Sequence, residues 1–519
     1  MAPLTEAEQA VVFQKIQAGM KQLHHSLDVK LRSQHPKGHG VVQATFQVQE
    51  VPEKYRIGLF AKAQCHAAWI RFSNGRETND AVPDVHGMAI KLLEVPGEKL
   101  APGEADATTL DFVLTDHPVF FAKDAAQFLQ FIGMRGAQGM EMRQAKEQGK
   151  TAAELAQLAR QQGAQLVAAF PIVREFFKTA NSPLALDYFS QTPYGLGEHV
   201  VKYFAKSVET HPTVPGDGNA KNLLSDAMRQ VLSKDRRSAK FEFGVEVQVD
   251  PGSMPIDDGT AVWNSHEKVI LATITIPPQD FPPEDCEKLE QALSFTPWRT
   301  LREHQPLGSL NLARRDTYVD SSTTRHEKTD TSREEPSLEE FNRRTLVRFY
   351  DCFRNGDYRG MQGCLHPEVE FDDVGFDVRG KEVAAMWHMI VSKGIAVTYE
   401  NVRFENGHWK ADWECDYEFR AKPDSHPNPV HNKVHATFEF EGGLIRKHSD
   451  DCDFWVWFEQ AMGLKGKAIH LFDCLEGMLE KVLRRDVPID IDRKVRAEVK
   501  KTAKEKIAAF VQQHPEYRA

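Results

Sequence analysis

The sequence predicts an α+β chain of two units: an N-terminal antiparallel β-barrel with helices over residues 1–330, and a C-terminal α+β unit over residues 336–519. Three observations carry this. At 519 residues the chain exceeds what one hydrophobic core organises, since single cores stop growing near ~250–300 residues. Short β-rich stretches separated by Gly/Pro turns recur as far as residue 276, as in a closed or strongly curved antiparallel sheet. The segment VDSSTTRHEKTDTSREEPS (319–337) then carries almost no large apolar side chain, which marks a boundary.

In order along the chain, EAEQAVVFQKIQAGMKQLHHSL (6–27) reads as a helix with Thr5 as its N-cap. VVQATFQV (41–48), AAWIRFS (67–73), GMAIKLLEV (87–95), TLDFVLT (109–115), HVVKYFAKS (199–207) and VILATITI (269–276) read as strands. One helical insert, TAAELAQLARQQGAQLVAAF (151–170), interrupts them. Beyond the boundary the order changes. A helix (338–357), a short acidic strand (VEFDDVGFD, 369–377) and a second helix (380–394) precede four strands between residues 397 and 455. The tail from Asp492 to His514 is a mixed-charge amphipathic helix.

Composition narrows the function. Hydrophobic residues are 41% and charged residues 27%, with a formal net charge of -10. That balance disfavours nucleic acid and anionic membrane surfaces as partners. No apolar run reaches the ~18–20 residues that span a bilayer, and the N-terminus lacks the basic and apolar regions of a secretory signal. Seven scattered cysteines, none in a CxxC pair, suit reduced thiols, so a cytoplasmic location is expected.

Four separated segments carry chemistry. The first is Arg32-Ser-Gln-His35-Pro-Lys-Gly, the second Ile-Arg71-Phe-Ser73-Asn-Gly, the third LDFVLTDHPVFFAKD with Asp116 and Phe121, and the fourth Arg314-Arg-Asp-Thr-Tyr318 followed by Arg325. Taken singly, each has an ordinary reading as a surface tyrosine, a loop histidine or a solvated arginine. Their joint occurrence in chain order resembles the haem-catalase active site, and with PDVHGMAIKLL and TPYGLGEHVVKYFAKS the resemblance spans most of residues 20–325. It implies haem b, with Tyr318 as axial iron ligand and His35 as distal acid–base. It also implies Arg32, Arg71 and Arg325 on the propionates, Ser73 on the distal imidazole, and Phe121 against the porphyrin. The residue types suit those roles. A tyrosinate favours ferric iron but needs a neighbouring cation to ionise at neutral pH, and Arg314, one turn back, would supply it. Guanidinium forks match carboxylates, and a neutral imidazole can relay a proton between peroxide oxygens.

Two departures from catalases stand out. Asp116 occupies the place of the asparagine that orients peroxide, and is expected to be protonated or paired with His35 or His117. Gln34 replaces a small apolar residue before the distal histidine; the related allene oxide synthases carry a polar residue there. With the small size of the barrel, these features imply organic or fatty-acid hydroperoxides as substrates, by peroxidase or isomerase/dehydratase chemistry. The competing expectation is a non-catalytic haem-binding or sensor protein. A homo-oligomer, dimer or tetramer, is expected either way.

In the second unit, the helix-first order, HPEVEFDDVGFDVRGKEVAAMW and the strand GLIRKHSDDCDFW resemble the nuclear-transport-factor-2-like (SnoaL-like) fold of polyketide cyclases, ketosteroid isomerases and epoxide hydrolases. Asp372-Asp-Val-Gly is similar to the isomerases' Asp-Pro-Val-Gly, which makes Asp372 the expected base in an apolar cone. His448, Asp450, Asp453, Trp387 and Trp413 are further lining candidates. The bland alternative is a dimerisation or binding module, since this fold is widely reused.

Overall fold

The computed structural model describes residues 5–25, 32, 34–208, 221–329, 335–420, 426–483 and 491–518. It divides into two compact units, Met1–Leu338 and Glu339–Ala519. No helix among the described residues is long and apolar enough to cross a membrane.

The N-terminal unit runs α1 (Glu6–His25), β1 (Gly38–Val48), β2 (Cys65–Asn74), β3 (His86–Leu92), β4 (Leu110–Thr115), α2 (Ala125–Glu147), α3 (Ala152–Ala169), β5 (Tyr188–Phe189), β6 (Tyr194–Leu196), β7 (His199–Ser207), α4 (Leu223–Arg229), β8 (Ala239–Val247), β9 (Lys268–Ile276), α5 (Pro283–Ala292) and α6 (Gly308–Thr329). The sheet order is β5-β4-β3-β2-β1-β9-β8-β7-β6, and an extra β5–β7 pairing closes it into an antiparallel barrel of eight strands, with β6 outside the ring. Strand alternation explains the core. Ile70 and Phe72 of β2 and Met88 and Ile90 of β3 turn into one apolar cluster with Phe46, Phe112 and Phe243. Phe112 and Phe46 sit 4.7 and 5.0 Å from the Phe243 ring. Arg71 and Ser73, the alternate residues of β2, therefore lie on the opposite face of the sheet.

Thr5 and Glu8 cap α1 reciprocally, and Ile16 of α1 packs with Ile132 of α2 and Ala313 of α6. α2 was absent from the sequence expectation. Glycines 133, 136 and 139 weaken both its helix propensity and its apolar stripe, but Asp124 caps it by accepting from the Gln127 amide at 2.8 Å. The first part of the polar stretch, 319–329, is the second half of α6, and the two units meet just beyond the stretch.

The C-terminal unit runs α7 (Leu338–Arg354), α8 (Tyr358–Gln362), β10 (Leu365–Asp372), β11 (Asp377–Arg379), α9 (Lys381–Val391), β12 (Ala396–Glu405), β13 (His408–Phe419), β14 (Asn428–Glu441), β15 (Leu444–Asp451), α10 (Phe454–Met462), α11 (Leu464–Leu483) and α12 (Ile491–Gln513). Its six strands are ordered β11-β10-β15-β14-β13-β12, with β10 and β15 parallel. α7 buries Phe349, Tyr350 and Phe353 against Trp387 of α9 and the inner residues of β13–β15.

Candidate functional site

His35 is held in a left-handed conformation (φ 54°), and its amide donates to the Gly75 carbonyl at 3.0 Å. Its Nδ1 lies 3.0 Å from Ser73 Oγ, and the ring also meets the Asn74 backbone. Gly87 of β3, in register with Ser73, is what admits the ring. A Cβ there would stand 2.6 Å from His35 Nδ1 and 2.9 Å from Ser73 Oγ. Burial, reinforced by the Arg71 cation, lowers the His35 pKa to about 4, so the imidazole is neutral at pH 7.

Asp116 corrects an expectation. It pairs with neither His35 nor His117. Its Oδ1 accepts the His86 amide at 2.9 Å and its Oδ2 lies 2.8 Å from His86 Nδ1, while its own amide donates to the His86 carbonyl. The reason is register: Gly87 faces Thr115 across β3 and β4, so the next residues outward, His86 and Asp116, meet at the strand ends. His117 instead stacks on Phe176 at 3.9 Å.

Arg32, Arg71 and Arg325 converge on the C-terminal end of α5. Arg32 donates to the carbonyls of Glu290 (2.8 Å) and Leu293 (2.7 Å). Arg325 donates to those of Glu290, Gln291 and Leu293 at 2.6–3.0 Å. Arg71 Nε lies 3.4 Å from Glu290 Oε1 and its Nη2 donates to the His35 carbonyl at 2.9 Å. The end of a helix attracts cations, yet three together repel. After burial, repulsion from Arg325 and Arg71 lowers the Arg32 pKa and outweighs attraction from Glu290 and Glu335. Burial and Arg71 likewise bring Arg325 to about 10. The cluster therefore carries surplus positive charge.

On α6, Arg314 donates to the Tyr318 hydroxyl at 3.1 Å and lies over its ring. Burial opposes the Arg314 cation, but the Tyr318 and Tyr194 phenols outweigh it and raise its pKa. Thr192 and Asn311 hold the same guanidinium from its other side. Arg325 is two turns beyond Tyr318 on the same helix, which ties the α6 tyrosine to the His35 segment through the arginine cluster. Phe121 packs among Phe120, Phe131 and Phe176. A phenol with a cation on its oxygen, a neutral imidazole, and a surplus of guanidinium charge form a donor set that could hold a ferric porphyrin with two carboxylates.

The second unit contains a half-open cavity of about 1650 Å³. Asp372 does not face it. Its carboxylate is exposed and receives Lys500 Nζ at 2.9 Å. Of the Asp-Asp pair it is Asp373 that lines the cavity, because consecutive residues at a strand end turn to opposite sides. Burial, with Asp450 as a like charge nearby, raises Asp373 to about 7, although the amides of Phe376 and Gly375 donate to it. Asp450 accepts from Trp413 Nε1 at 3.2 Å and lies 2.9 Å from His448 Nε2. Trp387 and Trp413 line the cavity as expected, whereas Asp453 caps α10 at the Val456 amide. Sequence reasoning missed Gly87, Glu290 and Asp373; only Asp373 had a local signal, being half of an Asp-Asp pair.

Residues 8–150 match the Catalase family, and residues 346–448 match the SnoaL-like domain family. The protein thus joins a catalase-like barrel to a SnoaL-like unit. Among solved structures, a fungal catalase is 15% identical, with 63% of this chain and 64% of that chain covered and a TM-score of 0.41. Catalase A from Saccharomyces cerevisiae is 17% identical over 63% and 66%, also with a TM-score of 0.41. An epoxide hydrolase of the LEH-like type from M. tuberculosis is 18% identical, over 25% of this chain and 96% of its own, with a TM-score of 0.21. The chain spans just under two thirds of either catalase's length. No curated protein matches it.

Proposed function

We propose that the N-terminal unit is a haem-dependent enzyme acting on peroxides, with organic or fatty-acid hydroperoxides as substrates, and that the cavity of the second unit binds or processes the product. The observation that carries this reading is the neutral His35 imidazole, fixed by Ser73 and Gly87 and joined through Arg71 to the arginine cluster that also holds Arg325 of the tyrosine helix. Bound haem b would supply an iron centre able to cleave an O–O bond. Tyr318 would ligate it, with Arg314 stabilising the phenolate. Arg32, Arg71 and Arg325 would take the propionates, relieving their mutual repulsion. With Nδ1–H donating to Ser73 Oγ, the His35 Nε2 lone pair accepts the hydroperoxide proton and returns it to the departing oxygen.

Asp116 is committed to His86, so it does not provide the peroxide-orienting amide of catalases. This favours peroxidase or isomerase/dehydratase chemistry over dismutation. In the second unit, Asp373, raised toward 7, can exchange a proton with a ligand at neutral pH. A homo-oligomer and a cytoplasmic setting belong to the same reading.

The test uses haem-reconstituted full-length protein, following consumption of a fatty-acid hydroperoxide beside oxygen evolution from hydrogen peroxide. Wild type should consume the organic substrate faster, and Tyr318→Phe should lose most bound haem. Failure to consume either peroxide, or wild-type haem content and spectrum in Tyr318→Phe, would refute the proposal.

A further inference from the structure

Away from the cavity's carboxyls, α9 and the end of α12 bring together His388, His514 and Glu516. One ligand atom from each lies within 4.8 Å of the others. His514 Nδ1 and Glu516 Oε1 are 3.3 Å apart, the edge of a tetrahedron with metal–ligand bonds of ~2.0–2.1 Å. The rings are held in place. Tyr358 stacks on His388 at 3.6 Å between centroids and 13° between planes, and Phe510 stacks on His514 at 4.0 Å and 19°.

The surroundings have the form that orients metal-binding imidazoles. The Tyr517 hydroxyl lies 3.1 Å from His388 Nδ1 and itself receives the Gln362 amide. With His388 Nδ1–H donating to that oxygen, the tautomer is the one that leaves Nε2 to ligate. Arg359, over the Tyr358 ring, adds a positive charge nearby. The two imidazole nitrogens disfavour magnesium and calcium and favour a nitrogen-seeking ion strong enough to bind beside that charge. An ion can enter from solvent, because the Glu516 and His514 side chains are 55% and 31% exposed.

We propose that His388, His514 and Glu516 bind a divalent transition metal of the zinc class, with water as fourth ligand, and that the ion fastens the end of α12 to α9. Both helices wall the cavity, α9 through Trp387 and Ile390 and α12 through Val499 and Ala503. The metal would therefore brace the cavity at a distance from Asp373. This proposal does not rest on the peroxide reading.

The test titrates untagged, chelator-stripped full-length protein with Zn²⁺ by calorimetry and with Co²⁺ by visible absorption. Wild type should bind one ion per chain and show the ligand-field bands of four-coordinate cobalt. His514→Ala and Glu516→Gln should abolish those bands and weaken zinc binding by roughly tenfold or more, and Tyr517→Phe should weaken it by ~10–100-fold. Glu516→Gln changes an exposed side chain, so it keeps the test valid if His514→Ala misfolds. Wild type taking up no more zinc than Glu516→Gln, or unchanged cobalt bands in that variant, would overturn the site.

Discussion

In the variant Gly87→Ala, a methyl group enters β3 at a point 2.6 Å from His35 Nδ1, 2.7 Å from its Cε1 and 2.9 Å from Ser73 Oγ. Non-bonded heavy atoms settle near ~3.5 Å, so the imidazole must retreat by about 1 Å. The backbone does not object. Gly87 is not left-handed and sits in regular ladders opposite Ser73 and Thr115, so the destabilisation stays on the overpacking scale of ~1–3 kcal/mol. Catalysis is more sensitive, because misplacing a reacting group by 1 Å can cost ~10²-fold. Haem-reconstituted Gly87→Ala should therefore keep its haem content and cooperative unfolding while hydroperoxide consumption falls by about a hundredfold. Haem content is read from the pyridine haemochrome and consumption from substrate loss under single-turnover conditions. A folded, haem-loaded variant with the wild-type rate would mean that the His35 position set by Gly87 has no part in the chemistry.

His35→Ala should likewise retain haem but slow peroxide cleavage by ~10²–10⁴; an unchanged single-turnover rate would exclude His35 as the proton carrier. Asp116→Asn should leave oxygen evolution from hydrogen peroxide within about twofold of wild type, because the residue faces His86; a clear gain in oxygen electrode traces would contradict the observed pairing. Asp373→Asn tests the cavity carboxyl through pH. The folded-state pKa is raised from 3.8 to about 7, so the unfolded chain releases this proton first and wild type loses stability as pH rises between those values. The denaturation midpoint of Asp373→Asn should accordingly exceed that of wild type by a margin that grows from about pH 4 to about pH 7 and then stays level. A margin independent of pH would show that Asp373 titrates normally.

Linear motifs were the legible part of the proposed site. Arg32, His35, Arg71, Ser73, Arg314, Tyr318 and Arg325 sit in segments that resemble the catalase pattern, and Arg314 meets Tyr318 as one helical turn requires. What depends on how strands align stayed hidden. The partner of Asp116 follows from the β3–β4 register, which no local pattern specifies. The choice between Asp372 and Asp373 depends on which residue ends β10, and a shift of one residue exchanges the faces. α2 was hidden because its glycines dilute the apolar periodicity, and the C-terminal half of α6 because it carries almost no large apolar residue.

The ring of strands is joined at β5, which has two residues. It meets β4 through the single pair Thr115–Phe189 and β7 through Tyr188–Ala205 and Phe189–Phe204. Elsewhere in the ring neighbours share longer ladders, from four residue pairs between β1 and β9 to nine between β1 and β2. Side chains secure this seam more than backbone does: Tyr188 is fully buried, its hydroxyl donates to the Pro183 carbonyl at 2.8 Å, and its ring meets Phe72 and Phe241. Under native conditions amide protons should exchange with solvent earliest along this line, as a split ring springs at its gap. The opening would begin beside Thr115 and Asp116, at the same barrel end where His86 and His35 are held.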